Sequence, residues 1–481
     1  MKIIETGLTF DDVLLVPQYS EAIPSEADIS TRLTRGISLR IPIISAAMDT
    51  VTEAKMAIAM ARNGGIGIIH KNMTVEEQVQ EVETVKRTES WFVENPFTLP
   101  PDATVESARR LMNIRMISGV PVVNSDGRLV GIVTRRDLNF VHDGSKKLEE
   151  VMRVPIVARK GISLEDAYRM LSKHGIEKLP VVDEDGRLVG LITLKDINRR
   201  LQNQLEVRDD EGRLMVGAAV SPESGFGERV EALIKAGADV LVVDTAHAHT
   251  KRVAEMIREI KRNWPETQLI AGNIATAEAA KMLVDLGVDA VKVGIGPGSI
   301  CTTRLVAGVG VPQLTAIMDV AGAIRGSDVP IIADGGIKRS GDIVKAIAAG
   351  ADSVMIGNLL AGTDESPGQV IFLNGRKFKT YRGMGSESAM KKGSASRYFQ
   401  EGSVKFTPEG VEGMVPYSGT VAEVLAHLTG GLRSGMGYVG ARNIKELQEK
   451  AVFIRITSAG FAESRPHDII VTNEGGLATE L

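Results

Sequence analysis

A chain of 481 residues with 57 basic and 61 acidic side chains carries a net charge of −4, and its 43% hydrophobic share is that of an ordinary globular protein. The near balance offers no electrostatic case for nucleic acid, and a single cysteine excludes an intramolecular disulfide. Residues 1–20 place Glu5, Asp11 and Asp12 inside their apolar stretch, unlike a signal peptide, and no charge-free run is long enough to span a membrane, so the chain reads as cytoplasmic.

Short apolar runs alternate with helix-length amphipathic stretches along most of the chain. Eight of the runs, 41–48, 65–70, 214–220, 240–246, 268–274, 290–296, 329–336 and 353–358, are apolar at successive positions. Such runs suit parallel strands covered by helices on both sides. The pattern predicts an α/β fold, a (β/α)8 TIM barrel, with an open doubly wound sheet as the alternative. Glycine recurs at the joint between helix and strand in "AGADVLVVD", "LGVDAVKVG" and "AGADSVMIG", as a helix C-cap requires.

The second and third runs are too far apart for one crossover. The gap holds an internal repeat: "SGVPVVNSDGRLVGIVTRRDL" (118–138) is echoed by "EKLPVVDEDGRLVGLITLKDI" (177–197). Each copy has an Asp-Gly turn between two β-rich runs and follows a helical stretch, as in a hairpin module. Residues 89–207 therefore read as a twin-module domain inserted into a barrel formed by 1–88 and 208–481, its copies near 93–148 and 152–205. "TRRD" and "TLKD" match across the copies. They read equally as capping boxes and as nucleotide-binding helix starts, through Thr134, Asp137, Thr193 and Asp196.

Barrel chemistry sits at the C-terminal ends of the strands. There "GIGPGSICTTR" (294–304) sets Cys301, the lone cysteine, in a glycine-rich loop after the sixth run. A thiol so placed is a candidate nucleophile, the alternative being an inert small hydrophobe. The loops "ADGGI" (333–337) and "IGN" (356–358) follow the seventh and eighth runs, the usual barrel phosphate site, although "DGG" also suits a plain tight turn. Asp334 is placed to meet ribose hydroxyls if a nucleotide lies there, and Asp244 is a carboxylate at a strand end, the alternative being a helix-capping aspartate. "GMGYVG" (435–440) fits a dinucleotide fingerprint but follows a helical pattern, so it is not expected to be a Rossmann turn. The glycine-rich tail from about 370 reads as an active-site cover.

Taken together, "GLTFDDVLLVP", "SAAMDTVTE", "GPGSICTTR", "IADGGI", "YRGMGS" and "ESRPHD" resemble the inosine monophosphate dehydrogenases over essentially the whole chain, and the insert resembles a pair of CBS modules, a Bateman domain. The resemblance implies NAD-dependent oxidation of IMP to XMP, the committed step of guanine nucleotide synthesis, with Cys301 forming a covalent thioimidate. It implies a mobile flap whose Arg397 and Tyr398 activate water, assisted by Thr303. It assigns IMP to Ser299, Asp334, Gly335, Gly336, Gly357, Asn358, Tyr381, Arg382, Gly383, Met384, Gly385 and Glu409, and NAD to Asp244, Gly294, Ile295 and Gly296. Family members often have serine where Asn358 stands. A potassium site is implied at the carbonyls of Gly296, Gly298 and Cys301, completed by Glu463, Ser464 and Arg465 of a neighbouring subunit. It also implies a homotetramer, or an octamer of two, with regulatory purine nucleotides at the inserted pair. The competing readings are a GMP reductase, which should lack the Arg-Tyr flap, and a nucleotide sensor with an inactive barrel.

Overall fold

The computed structural model describes residues 6–88, 92–94, 96–115, 117–195, 197–198 and 205–469. They divide into two compact units, one formed by residues up to 88 and from 205 onward, the other by residues 89–204.

The first unit is a closed barrel of eight parallel strands. In chain order they are β1 (Ile43–Ser45), β2 (Ile66–Ile69), β3 (Gly217–Val220), β4 (Val240–Asp244), β5 (Gln268–Ile274), β6 (Ala290–Val293), β7 (Ile331–Asp334) and β8 (Ser353–Ile356). Pairing of β8 with β1 and of β2 with β3 closes the ring, so all eight predicted runs are barrel strands and the open-sheet alternative falls. Around it lie helices α1 (Ala54–Arg62), α2 (Val75–Arg87), α3 (Phe226–Lys235), α4 (Lys251–Asn263), α5 (Ala277–Asp285), α6 (Gln313–Ala323), α7 (Ser340–Ala348) and α8 (Val421–Val439). The fingerprint-like 435–440 segment is the C-terminal end of α8 and its cap. Among the described residues no helix is long and apolar enough to cross a membrane.

Strand periodicity explains both sides of the barrel wall. Ile44, Ile68, Val242, Ile270, Ala290, Ile332 and Met355 point inward and form an interior cluster. Their neighbours Ile43, Ile69, Val243, Ala271, Val291, Ile331 and Val354 face the helices in the larger cluster. Successive strand side chains point to opposite faces, so both sets must be apolar, which is what made the runs legible. Helix starts are fixed by threonine caps at Thr74, Thr250, Thr276 and Thr420. Gly237, Gly287 and Gly350 have φ of 91°, 81° and 112° at the three repeated joints, a backbone region L side chains disfavour.

The barrel side resumes at Leu205 rather than 208. The Val207 N–H donates to the Ala61 carbonyl (2.9 Å), and its side chain is buried in the barrel interior cluster. Nearby, buried Lys86 binds Asp209 (2.9 Å) and Asp239 (2.6 Å), which brings the two chain ends of the insertion together on the barrel.

In the second unit, antiparallel Gly119–Val123 and Leu129–Thr134 form one hairpin, and Lys178–Val182 and Leu188–Thr193 form its counterpart. The two turns bond reciprocally: Leu129 N–H donates to the Gly186 carbonyl and Leu188 N–H to that of Gly127, each at 3.1 Å. Equivalent residues thus make equivalent bonds, as an internal two-fold requires. Thr134 caps a short helix in a capping box with Asp137: Thr134 Oγ1 donates to Asp137 Oδ2 at 2.6 Å, and Arg153 reaches the other carboxylate oxygen at 2.6 Å. Thr193 ends the matching strand; Asp196 lies outside the described residues.

The tail from 370 is more regular than its sequence suggests. Strands Val370–Leu373, Arg376–Arg382 and Glu412–Pro416 form an antiparallel sheet. Between the last two, helix Glu387–Lys392 leads into a 3-10 turn at Ser394–Tyr398.

Candidate active site

The loop after β6 carries Cys301 to the rim and is pinned there by the tail. Thr302 N–H donates to the Glu409 carbonyl (2.9 Å), and Val411 N–H to that of Ile300 (3.0 Å). Gly294 cannot be replaced simply, because a Cβ there would lie 2.0 Å from the Asp334 carbonyl oxygen. The Cys301 thiol donates to Thr303 Oγ1 at 3.2 Å.

One cleft at the C-terminal strand ends is lined by Cys301, Thr303, Arg397, Tyr398, Ser299, Glu409 and Asp244. Asp334 to Gly336, Gly357, Asn358, Tyr381, Gly383 to Gly385, Gly294 to Gly296 and Gly298 line it too. Residues from 244 to 410 in the chain thus converge on one mouth. Arg382 is different: its guanidinium turns to Asp49, with Nε 3.1 Å from Oδ1 and Nη2 2.5 Å from Oδ2. Burial alone would raise the Asp49 carboxyl, but hydrogen bonds from Arg382 and Asn72 reverse this and hold it below its ordinary value. Arg382 therefore braces the 381–385 loop against the segment that follows β1 and is not part of the cleft lining. Glu463, Ser464 and Arg465, expected from a neighbouring subunit, lie outside the cleft of their own chain at the end of helix Ser458–Glu463.

Two tyrosines are buried in the site. Burial holds the Tyr381 phenol far above its ordinary range, with a Ser299 hydrogen bond opposing and the Asp334 charge reinforcing. Burial likewise raises Tyr398, against the neighbouring Arg397. Both phenols are neutral at physiological pH and act as hydrogen-bond groups. The Tyr398 ring lies against Gly385, where a Cβ would sit 2.8 Å from its oxygen.

Sequence reading missed the residue at the centre of the charge arrangement. Lys292 in β6 is wholly buried, and its ammonium donates to Asp244 Oδ1 (2.9 Å), Asp334 Oδ2 (2.7 Å) and Asn273 Oδ1. It points inward on the same alternation as Ala290. Facing Gly272 leaves room for it, since a Cβ there would lie 2.6 Å from Lys292 Cβ. The available signal was a lysine inside an apolar strand run, a charge that must be paired if buried. Asp244 takes a second cation on its other oxygen, the guanidinium of Arg397.

A (β/α)8 barrel with a rim thiol, two strand-end carboxylates on one buried ammonium, and glycine-rich loops after β7 and β8, all at the C-terminal strand ends, has the layout of a barrel enzyme. The IMP dehydrogenase / GMP reductase domain matches residues 7–467, and the chain belongs to that family. It is 59% identical over 478 residues to the inosine-5'-monophosphate dehydrogenase of Aquifex aeolicus (strain VF5), covering 98% of each chain. It is 55% identical over 477 residues to that of Bacillus subtilis (strain 168), again covering 98% of each. Among solved structures, a cysteine-to-alanine variant of GMP reductase from Trypanosoma brucei, in complex with guanosine 5'-monophosphate, superposes with a TM-score of 0.87. It is 44% identical and matches over 97% of this chain and 99% of its own.

Proposed function

We propose that the chain oxidises IMP to XMP with NAD, a step of guanine nucleotide synthesis, through a thioimidate on Cys301. The observation that carries this reading is the convergence of Arg397 and Tyr398 with Cys301, Thr303 and Glu409 in one cleft. A reductase has no need of a group that activates water, so the pair favours dehydrogenase over reductase chemistry.

The Cys301 thiol gives up its proton to solvent as its sulfur adds to C2 of the hypoxanthine ring, and the C2 hydrogen leaves as hydride, for which NAD would supply the acceptor when bound. Water then attacks C2 and the C–S bond breaks, freeing the thiol and XMP. Glu409 faces the purine, Asp334 binds the ribose hydroxyls, and the loops at Gly335, Gly336, Gly357 and Asn358 take the phosphate. Arg397 and Tyr398 orient and activate the water, with Thr303 beside the sulfur, and the water's protons pass to the departing sulfur and the purine ring nitrogen. Arg397 Nε is buried without a hydrogen-bond partner among the described residues, so the guanidinium keeps one donor unused.

NAD fits Asp244 and Gly294 to Gly296 on one condition. The Asp244 carboxylate already carries Lys292 and Arg397, so a ribose hydroxyl reaches it only when Arg397 releases it. Cofactor binding and water activation therefore take turns at one carboxylate. The potassium ion fits by donor type: the carbonyls of Gly296, Gly298 and Cys301 belong to one loop, and that of Gly298 accepts the Cys301 N–H (3.1 Å). Bound with Glu463, Ser464 and Arg465 of a second copy, it would fix the cysteine loop and require a homo-oligomer. Exposed Leu305 and Val309 beside the loop fit such an interface.

The inserted twin hairpins are read as a CBS pair binding regulatory purine nucleotides. A ribose at Asp137 must displace Arg153, because the cap and that arginine occupy both carboxylate oxygens.

The test is a paired assay. NADH formation from IMP and NAD is expected, without NADPH oxidation by GMP. Activity only in the second assay would make the chain a reductase.

A further inference from the structure

Ser396 immediately precedes Arg397, is 4% exposed and does not line the cleft. Its side chain enters a polar nest on the barrel. The Lys71 ammonium donates to Ser396 Oγ at 2.6 Å, and Ser396 Oγ donates to Glu223 Oε2 at 3.1 Å. Lys71 and Glu223 are themselves an ion pair, and Ser221 Oγ lies 3.4 Å from Ser396 Oγ. Arg229 faces the other Glu223 oxygen at 3.3 Å.

These partners come from neighbouring strand ends. Lys71 follows β2, and Ser221 and Glu223 follow β3. Lys71 is 7% exposed, and burial pushes its ammonium down while Glu223 opposes the shift. A buried ammonium is costly unless its donors are satisfied. None of these groups lines the cleft, so substrate contact does not account for them. Ser396 is the one bond of the Lys71 ammonium that leads into the 394–398 turn. On the far side of Ser396, Arg397 is tied to Asp244 and its carbonyl accepts the Ala246 N–H (3.0 Å). The turn is thus fastened to the ends of β2, β3 and β4 by directional polar bonds, which set its register as apolar packing alone would not.

We propose that Lys71 is a positioning residue for the hydrolytic half-reaction: with Glu223 and through Ser396, it holds the Arg397–Tyr398 pair in register over Cys301. The inference rests on the reading of that pair given under Proposed function. It predicts a defect confined to the second half-reaction, because hydride leaves before water activation is needed.

The test is rapid-mixing measurement of NADH formation from saturating IMP and NAD on the full chain and on four variants. Lys71→Met is expected to give a stoichiometric NADH burst at the wild-type rate. Its steady turnover should be lower by about 10²-fold, the scale of a misplacement near 1 Å. Intact mass should show the nucleotide held on the protein. Lys71→Arg should recover most of the steady rate, and Ser396→Ala should move in the direction of Lys71→Met. Burst amplitude counts the folded sites, and if Lys71→Met does not fold, Ser396→Ala decides. Wild-type steady turnover in Lys71→Met or Ser396→Ala, or loss of the burst in either when folded, overturns the proposal. Arg397→Ala keeps the two failures apart. If Arg397→Ala turns over normally, the reading of the pair is wrong. If it stalls after its burst while Lys71 and Ser396 variants do not, only the Lys71 role falls.

Discussion

The two sides of the barrel mouth are made of different materials. The side formed by the loops after β6, β7 and β8 is mostly backbone, with Gly294, Gly296, Gly335, Gly336 and Gly357 around Cys301. The side formed by the ends of β2, β3 and β4 is mostly charged side chain, with Lys71, Glu223 and Asp244 gripping the 394–398 turn. Glycine lets backbone N–H groups approach a phosphate closely and fixes a permanent site. Ion pairs and hydroxyls hold a segment that must let go, because each bond formed can be exchanged for one to water or ligand. On the proposed function, substrate capture and thiol addition belong to the first side, and water activation to the second. Lys292 sits between them, with one carboxylate from each.

The largest effect should come from the glycine side. Cys301→Ser should abolish NADH formation altogether, with a loss on the order of 10⁴-fold or more, the scale seen when a nucleophile is removed. Substantial NADH from that variant would break the comparison at its root.

Lys292→Met should damage both sides at once. It leaves Asp244 and Asp334 buried without their shared cation, and removing one partner of a buried ion pair costs about 3–5 kcal/mol. We expect kcat/KM for IMP and for NAD to fall together, by roughly 10²–10⁴-fold on that cost, while Lys292→Arg should lose less. A defect in one substrate only would mean the two sides are not joined through this ammonium.

Asp49→Asn should have a smaller effect, confined to IMP. It weakens the bidentate brace on Arg382, and a charge-assisted hydrogen bond contributes about 1.5–3 kcal/mol, so KM for IMP should rise by roughly 10–10²-fold. The pH sign follows from its carboxyl being held below the ordinary value near 3.8. The brace is complete above that value and is lost only as pH falls through the lower folded value. The wild-type brace should therefore show no titration between pH 8 and pH 5. A KM for IMP unchanged in Asp49→Asn would remove the brace from the account.

What the sequence made legible followed from local rules. The barrel strands announced themselves because both faces of each are buried. Cys301 stood out as a thiol in a glycine loop, and Asp244 and Asp334 by their places at strand ends. Lys292 was hidden in the run "AVKVG", because its partners are set by strand parity and ring closure rather than by neighbours in the chain. The Lys71, Glu223 and Ser396 nest had no local signal either, since it joins residues from three distant segments. The tail was read as irregular because Arg376–Arg382 carries basic residues at alternate and adjacent positions, and its pairing with Glu412–Pro416 skips the intervening turn. Arg382 was recognised by motif, but its side chain answers to Asp49, a partner on the far side of the chain.

The division of labour between the two sides is tested most directly by Arg397→Ala, followed through a single turnover. Thiol addition and hydride transfer should proceed, giving a rapid stoichiometric burst of NADH. Steady turnover should then fall by roughly 10²–10⁴-fold, the scale for losing a positioned acid–base group. Intact-protein mass measured after the burst should show a purine nucleotide covalently held, and none when Cys301 is replaced as well. A burst that vanishes along with turnover, with no nucleotide on the protein, would contradict the account, because Arg397 would then be needed before the thioimidate forms.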